Sequence, residues 1–123
     1  MPQSQKLTLT VVEQSPVRKG GSGADALHET IELAKATEAM GFERFWVAEH
    51  HNLTSIASTS PEILIGQIGA ATSTIRIGSG GVMLPHYSPY KVAEQFKLLE
   101  TLFPGRIDLG IGRAPGGDGL ASH

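Results

Sequence analysis

The chain contains no cysteine, which excludes a disulfide framework and a thiolate metal site. Basic residues are also few, since ten Lys and Arg stand against twelve Asp and Glu, giving a net charge of −2. Such a balance offers no electrostatic footprint for nucleic acid or for an anionic membrane. The polar start, Met1 to Lys6, lacks the apolar core of a signal peptide. We therefore expect a cytoplasmic protein without a resident metal, and no nucleic-acid or membrane partner.

Apolar residues and glycine are the abundant components of the chain. Hydrophobic residues make up 40% and charged residues 18% of the 123 positions, a composition typical of a folded domain. A chain of this length buries roughly two-thirds of its unfolded surface. The fifteen glycines lie mostly in the second half. We predict one domain over residues 1–123.

The hydrophobic pattern alternates strand and helix three times and ends on a fourth strand. The predicted strands cover 7–12, 43–49, 75–84 and 106–112, with helices beginning near Ala26, Glu62 and Pro89. Each unit takes about 30 residues, the length of a βαβ crossover, so the sheet should be parallel. An open doubly wound sheet and the first half of a TIM (β/α)8 barrel both fit. Glycines on one side of the last two strands favour the barrel, and no first-turn glycine motif follows Val12.

The first two helices carry different face patterns. Asp25 is the predicted N-cap of the first helix, and Ser22 is the alternative. The helix is predicted to have one apolar half and one solvated half. The apolar half contains Leu27, Ile31, Leu33, Ala34 and Met40, and His28 lies on the solvated half. The second helix, 62–72, has almost no polar face, and its glycines allow a backbone to approach closely. We expect this helix to meet a second copy of the chain or another segment.

The segment 44–51, Arg-Phe-Trp-Val-Ala-Glu-His-His, joins a buried strand to a carboxylate and two imidazoles. Polar residues at the carboxyl end of a parallel strand are typical of the active sites of α/β proteins. Imidazole transfers protons readily near neutral pH. Strand alternation predicts that His50 shares a face with Trp46 and Ala48. A solvated loop histidine is the alternative.

Four ordered motifs, at 45–52, 78–85, 91–96 and 104–116, resemble the luciferase-like, flavin-dependent monooxygenases. The resemblance runs from about Leu7 to Gly116, nearly the whole chain. It implies an eight-stranded α/β barrel that binds reduced FMN, uses O2 and oxidises a small organic substrate, in the manner of an alkanal monooxygenase. It also implies a homodimer made through early helices, which agrees with the apolar 62–72 helix.

The resemblance also implies roles for particular residues. His50 corresponds to the acid/base of the family, and Glu49 could orient it. Ser79, Gly80 and Gly81 correspond to the backbone that the flavin ring approaches, with a cis peptide bond between the two glycines. Arg113 corresponds to an arginine near the flavin phosphate, which suits a guanidinium fork.

The main departure from the family is length. A complete barrel takes about 250 residues, and phosphate pockets commonly lie after its last strands. We therefore expect the amino-terminal half of such a barrel, with little activity alone. A deazaflavin-dependent hydride-transfer enzyme and a non-catalytic half-barrel that binds flavin or dimerises are the alternatives.

Overall fold

The computed structural model describes residues 7–117. In chain order the elements are β1 (Thr10–Glu13), α1 (Gly23–Ala39), β2 (Arg44–Val47), α2 (Pro61–Ala71), β3 (Arg76–Ser79), β4 (Val82–Met83), a 3-10 turn (Leu84–His86), α3 (Pro89–Leu102), β5 (Ile107–Asp108) and β6 (Ile111–Gly112). The main sheet has four strands in the order β1-β2-β3-β5, and β4 pairs with β6 in a second sheet. All four pairings are parallel, which confirms the predicted fold class.

The predicted third and fourth strands are each divided in two. The Ser79 hydroxyl donates to the Gly110 carbonyl (2.8 Å) and accepts from the Gly110 amide (3.0 Å). A side chain therefore takes the place of ladder hydrogen bonds between β3 and β5, and pairing resumes only at β4 and β6. The peptide bond between Gly80 and Gly81 is cis, at the position that the resemblance predicted.

Helix α1 begins earlier than predicted, at Gly23. Ser22 is its N-cap, and Asp25 is the third helical residue of a capping box. The Asp25 amide donates to Ser22 Oγ (3.1 Å) and the Ser22 amide donates to Asp25 Oδ2 (3.2 Å). Asp25 thus supports the cap that Ser22 provides, because each side chain satisfies an amide that has no partner within the helix. Gly41, with φ of +83°, follows the C-cap residue Met40.

The buried face of α1 differs from the predicted one. Leu33 and Met40 are 38% and 65% exposed, whereas Thr30 and Thr37 are buried. The two threonine hydroxyls remain satisfied inside the protein, since Thr37 donates to Leu33 O and Thr30 hydrogen-bonds to Ser15 Oγ (2.7 Å). Small and hydroxylated residues therefore form the contact surface. His28 is exposed, as predicted.

The core lies between the sheet and helices α2 and α3. Its fully buried members include Phe45, Val47, Ile65, Ile68 and Ile77, with Val92, Phe96 and Leu99 packed around them. Gly69 of α2 is approached by an aromatic ring and not by a backbone, because a Cβ there would lie 2.6 Å from the Phe103 ring. Ile63 is 67% exposed on the outer side of the same helix.

Glu38 fixes the turn that leads into β3. Its Oε2 accepts the amides of Ser73 (2.9 Å), Thr74 (2.8 Å) and Ile75 (3.0 Å). Burial raises the pKa of Glu38, but these amide hydrogen bonds outweigh it and lower the pKa to about 2. The carboxylate of α1 therefore holds the start of the central strand in register.

Asp108 of β5 organises the same, amino-terminal end of the sheet. It accepts Trp46 Nε1 (2.9 Å) and pairs with Arg76 (2.7 Å) and Arg44 (3.3 Å). One carboxylate thus links β2, β3 and β5. None of the helices within residues 7–117 has the length and apolarity needed to span a membrane.

Candidate active site at the carboxyl edge of the sheet

Glu49 occupies the centre of the polar cluster that follows β2. It is 1% exposed, and its two oxygens accept three hydrogen bonds. Tyr87 OH (2.8 Å) and His51 Nε2 (2.5 Å) donate to Oε2, and the Met83 amide donates to Oε1 (3.2 Å). Burial of a carboxylate is costly unless its oxygens find such donors. The side chain of Glu49 is therefore fully engaged with protein groups.

Tyr87 is tuned by the same carboxylate. Burial raises the pKa of its phenol, and the hydrogen bond to Glu49 and the negative charge there raise it further. The phenol therefore stays protonated and acts as a hydrogen-bond donor over the working pH range.

His50 is half-buried where the chain leaves the sheet. The His50 amide donates to Ser58 O (2.9 Å). The Ser58 hydroxyl donates to the carbonyl of Ala48, which lies two residues before His50. The ring atom Nδ1 is buried and has no hydrogen-bond partner among the residues that the structure describes. A buried polar atom without a partner costs free energy unless a ligand or water satisfies it. His50 therefore offers an open hydrogen-bonding position at the carboxyl edge.

Gly80 presents bare backbone at the end of β3. A Cβ added there would lie 3.4 Å from the Trp46 side chain and 3.7 Å from Val12 Cγ1, and Gly80 itself is exposed. The neighbouring Gly81 packs on the backbone of Gly110 and Ile111, where a Cβ would come within 3.1 Å. A flat ring can approach such backbone more closely than it can approach a side chain. Ser79, in contrast, is fully buried, with its hydroxyl bonded to Gly110.

Arg113 lies just beyond β6 and is exposed. Within residues 7–117, no hydrogen bond or ion pair engages its guanidinium. The loop that carries it is held from the other side, since the His51 amide donates to Gly116 O (2.9 Å) and His86 Nε2 donates to Pro115 O (2.5 Å). The loop that carries Arg113 is therefore held by hydrogen bonds, while the guanidinium has no partner among the described residues.

Sequence reasoning missed the partners of Glu49. Tyr87 follows the 3-10 turn that ends at His86 and lies 38 residues from Glu49, so no periodicity connects the two residues. The His51 and His86 rings meet edge to face, 4.8 Å between centroids. The described residues include no group of three His, Asp or Glu side chains placed to hold a metal ion.

Comparisons with known proteins show which proteins this chain is similar to. The family model of luciferase-like monooxygenases matches residues 7–120. N-acetyl-S-alkylcysteine monooxygenase of Bacillus subtilis (strain 168) is 54% identical over 116 residues, which are 94% of this chain and 35% of that protein. A luciferase-like monooxygenase of Escherichia coli (strain K12) is 49% identical over 112 residues, which are 91% of this chain and 33% of that protein. The chain thus spans about a third of the length of these relatives.

Three solved structures match this chain over 89% of its length. The crystal structure of apo-MsnO8 matches with a TM-score of 0.86 at 57% identity, covering 89% of this chain and 33% of that one. The oxygenating constituent of 3,6-diketocamphane monooxygenase from Pseudomonas putida, in complex with FMN, matches at 0.83 and 24% identity, covering 89% and 30%. An F420-dependent secondary alcohol dehydrogenase matches at 0.65 and 24% identity, covering 89% and 32%. The last two show the fold alone.

The parallel sheet and the polar cluster at its carboxyl edge define the first part of an α/β barrel, with the candidate site in the position usual for that fold. The family match covers nearly all of the chain. This chain belongs to the luciferase-like monooxygenase family.

Proposed function

We propose that residues 1–123 form a single partial domain, the first four strands and three helices of a flavin-dependent monooxygenase barrel. The complete enzyme would use reduced FMN and O2 to oxidise a small organic substrate. The observation that carries this proposal is the buried Nδ1 of His50 at the carboxyl edge, which has no partner among residues 7–117. Hydrogen bonds of catalytic groups are often incomplete until the ligand is bound, so an unsatisfied imidazole nitrogen is compatible with an active-site role.

The residues present suit a flavin. Gly80 offers bare backbone to a flat aromatic ring, beside the Trp46 side chain. Gly81 packs on Gly110 and Ile111 and would contribute the peptide group that it shares with Gly80. The Arg113 guanidinium, which no side chain engages in the described part of the chain, has the fork of donors that can hydrogen-bond to a phosphate group. Ser79 would contribute through its backbone, since its hydroxyl is bonded to Gly110. When bound, reduced FMN supplies the electrons and the oxygen chemistry.

His50 would then hold or move a proton at Nδ1. Its backbone is fixed by Ser58, so the ring is presented in a defined place. Glu49 lies next to it in sequence and would orient the segment, because its own oxygens are occupied by Tyr87, His51 and Met83. The protein would contribute orientation and exclusion of water.

Monooxygenase chemistry is favoured over deazaflavin-dependent hydride transfer by the named relatives. The B. subtilis relative at 54% identity is named for oxygenation of an N-acetyl-S-alkylcysteine. The solved structures do not decide between the two cofactors, because the FMN-bound neighbour and the F420-dependent neighbour are both 24% identical to this chain. On the monooxygenase name of the relative alone, we propose FMN as the cofactor of the complete enzyme.

The test uses a completed barrel, which we define as this chain followed by the residues of the B. subtilis N-acetyl-S-alkylcysteine monooxygenase that lie beyond the aligned region. With reduced FMN and an N-acetyl-S-alkylcysteine, we expect oxygen uptake coupled to substrate oxidation. Reduced F420 in place of FMN should give no turnover. Turnover with F420 alone, or flavin binding without any turnover, would overturn the proposal in favour of the hydride-transfer enzyme or the non-catalytic module.

We also propose that the chain forms a homodimer through the 62–72 helix. A groove of about 430 Å³ runs between α1 and α2, and Ile63 stands exposed at its side. The groove is lined mainly by apolar side chains, among them Leu27, Ile31, Ala57 and Leu64. Burial of such a surface favours association.

Light scattering after gel filtration should give twice the 13.0 kDa chain mass. Ile63→Glu should give the monomer, because a carboxylate would be buried at the interface. Leu98→Glu is the matched control, since Leu98 is 61% exposed on α3, and it should remain a dimer. A monomeric parent chain, or a dimer that Ile63→Glu leaves intact, would contradict this interface.

A further inference from the structure

We propose that Glu49, His51, His86 and Tyr87 form a strand-end clamp that positions Arg113 for the flavin phosphate. This inference rests on the flavin function proposed above and adds a positioning role for four residues that do not themselves touch the phosphate. The clamp joins three segments: the end of β2, the turn after β4 and the loop after β6.

The carboxylate of Glu49 accepts hydrogen bonds from two different segments of the chain. Glu49 Oε2 is bonded by both His51 and Tyr87, and Oε1 by the Met83 amide. The donors come from two segments, 49–51 and 83–87, that are separated by more than 30 residues. Because a carboxylate removed from water must keep its donors, neither segment can shift without exposing or stranding this charge. The two segments therefore have one relative position.

The same two segments are hydrogen-bonded to the loop that carries Arg113. The His51 amide donates to Gly116 O, and residues 51 and 117 pair as a parallel bridge. The His86 ring donates to Pro115 O. Gly116 is packed so closely that a Cβ would lie 2.7 Å from Met83 Cγ and 3.0 Å from Glu49 O. The backbone that carries Arg113 is thus held by His51, which also bonds to Glu49, and by His86, the chain neighbour of Tyr87.

A positioning role for these residues can be distinguished from a general contribution to stability. Loss of a clamp bond would weaken folding whatever the clamp does for the ligand. Only a positioning role predicts that the phosphate-specific part of flavin affinity changes, because riboflavin has the same ring system and lacks the phosphate. The ratio of FMN affinity to riboflavin affinity is therefore the deciding quantity.

The first measurement uses the 123-residue chain itself. In Tyr87→Phe and His86→Ala, hydrogen exchange of the His51 amide should quicken about tenfold or more, since the bond to Gly116 opens more often. Exchange of the Phe45 amide in the core strand should stay unchanged. The matched controls are Tyr90→Phe and His28→Ala, which alter exposed side chains. Unchanged exchange at His51 in both clamp variants would overturn the clamp.

The second measurement titrates oxidised FMN and riboflavin into the completed barrel. Arg113→Gln should lower the FMN preference about tenfold, and Tyr87→Phe should lower it by a similar factor with riboflavin affinity retained. The double variant should show little further loss, because both changes remove one interaction. An equal fall for both ligands, or full additivity, would overturn the positioning role. A parent barrel without any preference for FMN would instead overturn the proposed function.

Discussion

Replacing His50 with alanine in the completed barrel is expected to lower kcat by about 10²–10⁴-fold, the usual contribution of a positioned acid or base. Flavin binding should be retained, because the proposed flavin contacts are backbone at Gly80 and Gly81 and the guanidinium of Arg113. The reason for the loss is specific to Nδ1, which is buried and unpartnered within the described part of the chain. Stopped-flow measurement of substrate oxidation and a flavin titration report the two quantities separately.

His28→Ala is the matched control for this substitution. His28 lies on the exposed face of α1 and contributes no bond to the carboxyl edge, so turnover should match the parent. A His50→Ala barrel with full turnover would remove His50 from the mechanism. A barrel that loses flavin binding together with turnover would assign His50 to cofactor binding instead.

The order and direction of the elements could be predicted from sequence because they depend on local signals. The Ser-Pro pairs at 60–61 and 88–89 predict a hydroxyl cap followed by proline at the start of a helix. Pro61 and Pro89 do begin α2 and α3, but neither serine side chain caps its helix. The length of each unit then required parallel pairing, which the sheet confirms. These features follow from backbone chemistry and chain length, which the residues record directly.

The buried face of α1 could not be predicted in the same way. Hydrophobicity favoured Leu33 and Met40, but the helix buries Thr30 and Thr37. Threonine enters a core when its hydroxyl has a partner, and the partner of Thr30 is Ser15, in a loop 15 residues away. Such a pairing depends on tertiary contact, which periodicity does not encode.

In the candidate site, too, local features could be predicted from sequence and tertiary contacts could not. The segment 49–51 could be located because charged residues end an apolar strand. The role of each side chain depended on contacts between distant segments, such as Tyr87 with Glu49 and His51 with Gly116. The sequence therefore indicates the edge of the sheet where the chemistry is expected. The hydrogen bonds between the residues at that edge are seen only in the structure.

The largest stability effect is expected at the other end of the sheet, at Asp108. Burial raises the pKa of this carboxyl, but hydrogen bonds from Arg76 and Trp46 and the charges of Arg76 and Arg44 outweigh it and lower the pKa below its usual 3.8. Asp108→Asn removes the charge and leaves two arginines facing each other. We expect the free energy of unfolding at pH 7 to fall by about 2–4 kcal/mol, less than for a fully buried pair because both arginine side chains are about one-third exposed.

The pH dependence of that loss identifies its cause. A carboxyl whose folded pKa lies below its unfolded value stabilises the protein above the unfolded value, and the contribution disappears as pH falls through the folded one. The difference between parent and Asp108→Asn should therefore be complete at pH 7 and shrink below about pH 4. Urea unfolding followed by the fluorescence of Trp46, the single tryptophan, measures it. Asp25→Asn, at the exposed capping box, should cost under about 1 kcal/mol, and an equal loss in the two variants would show that the arginine pairing at Asp108 adds nothing.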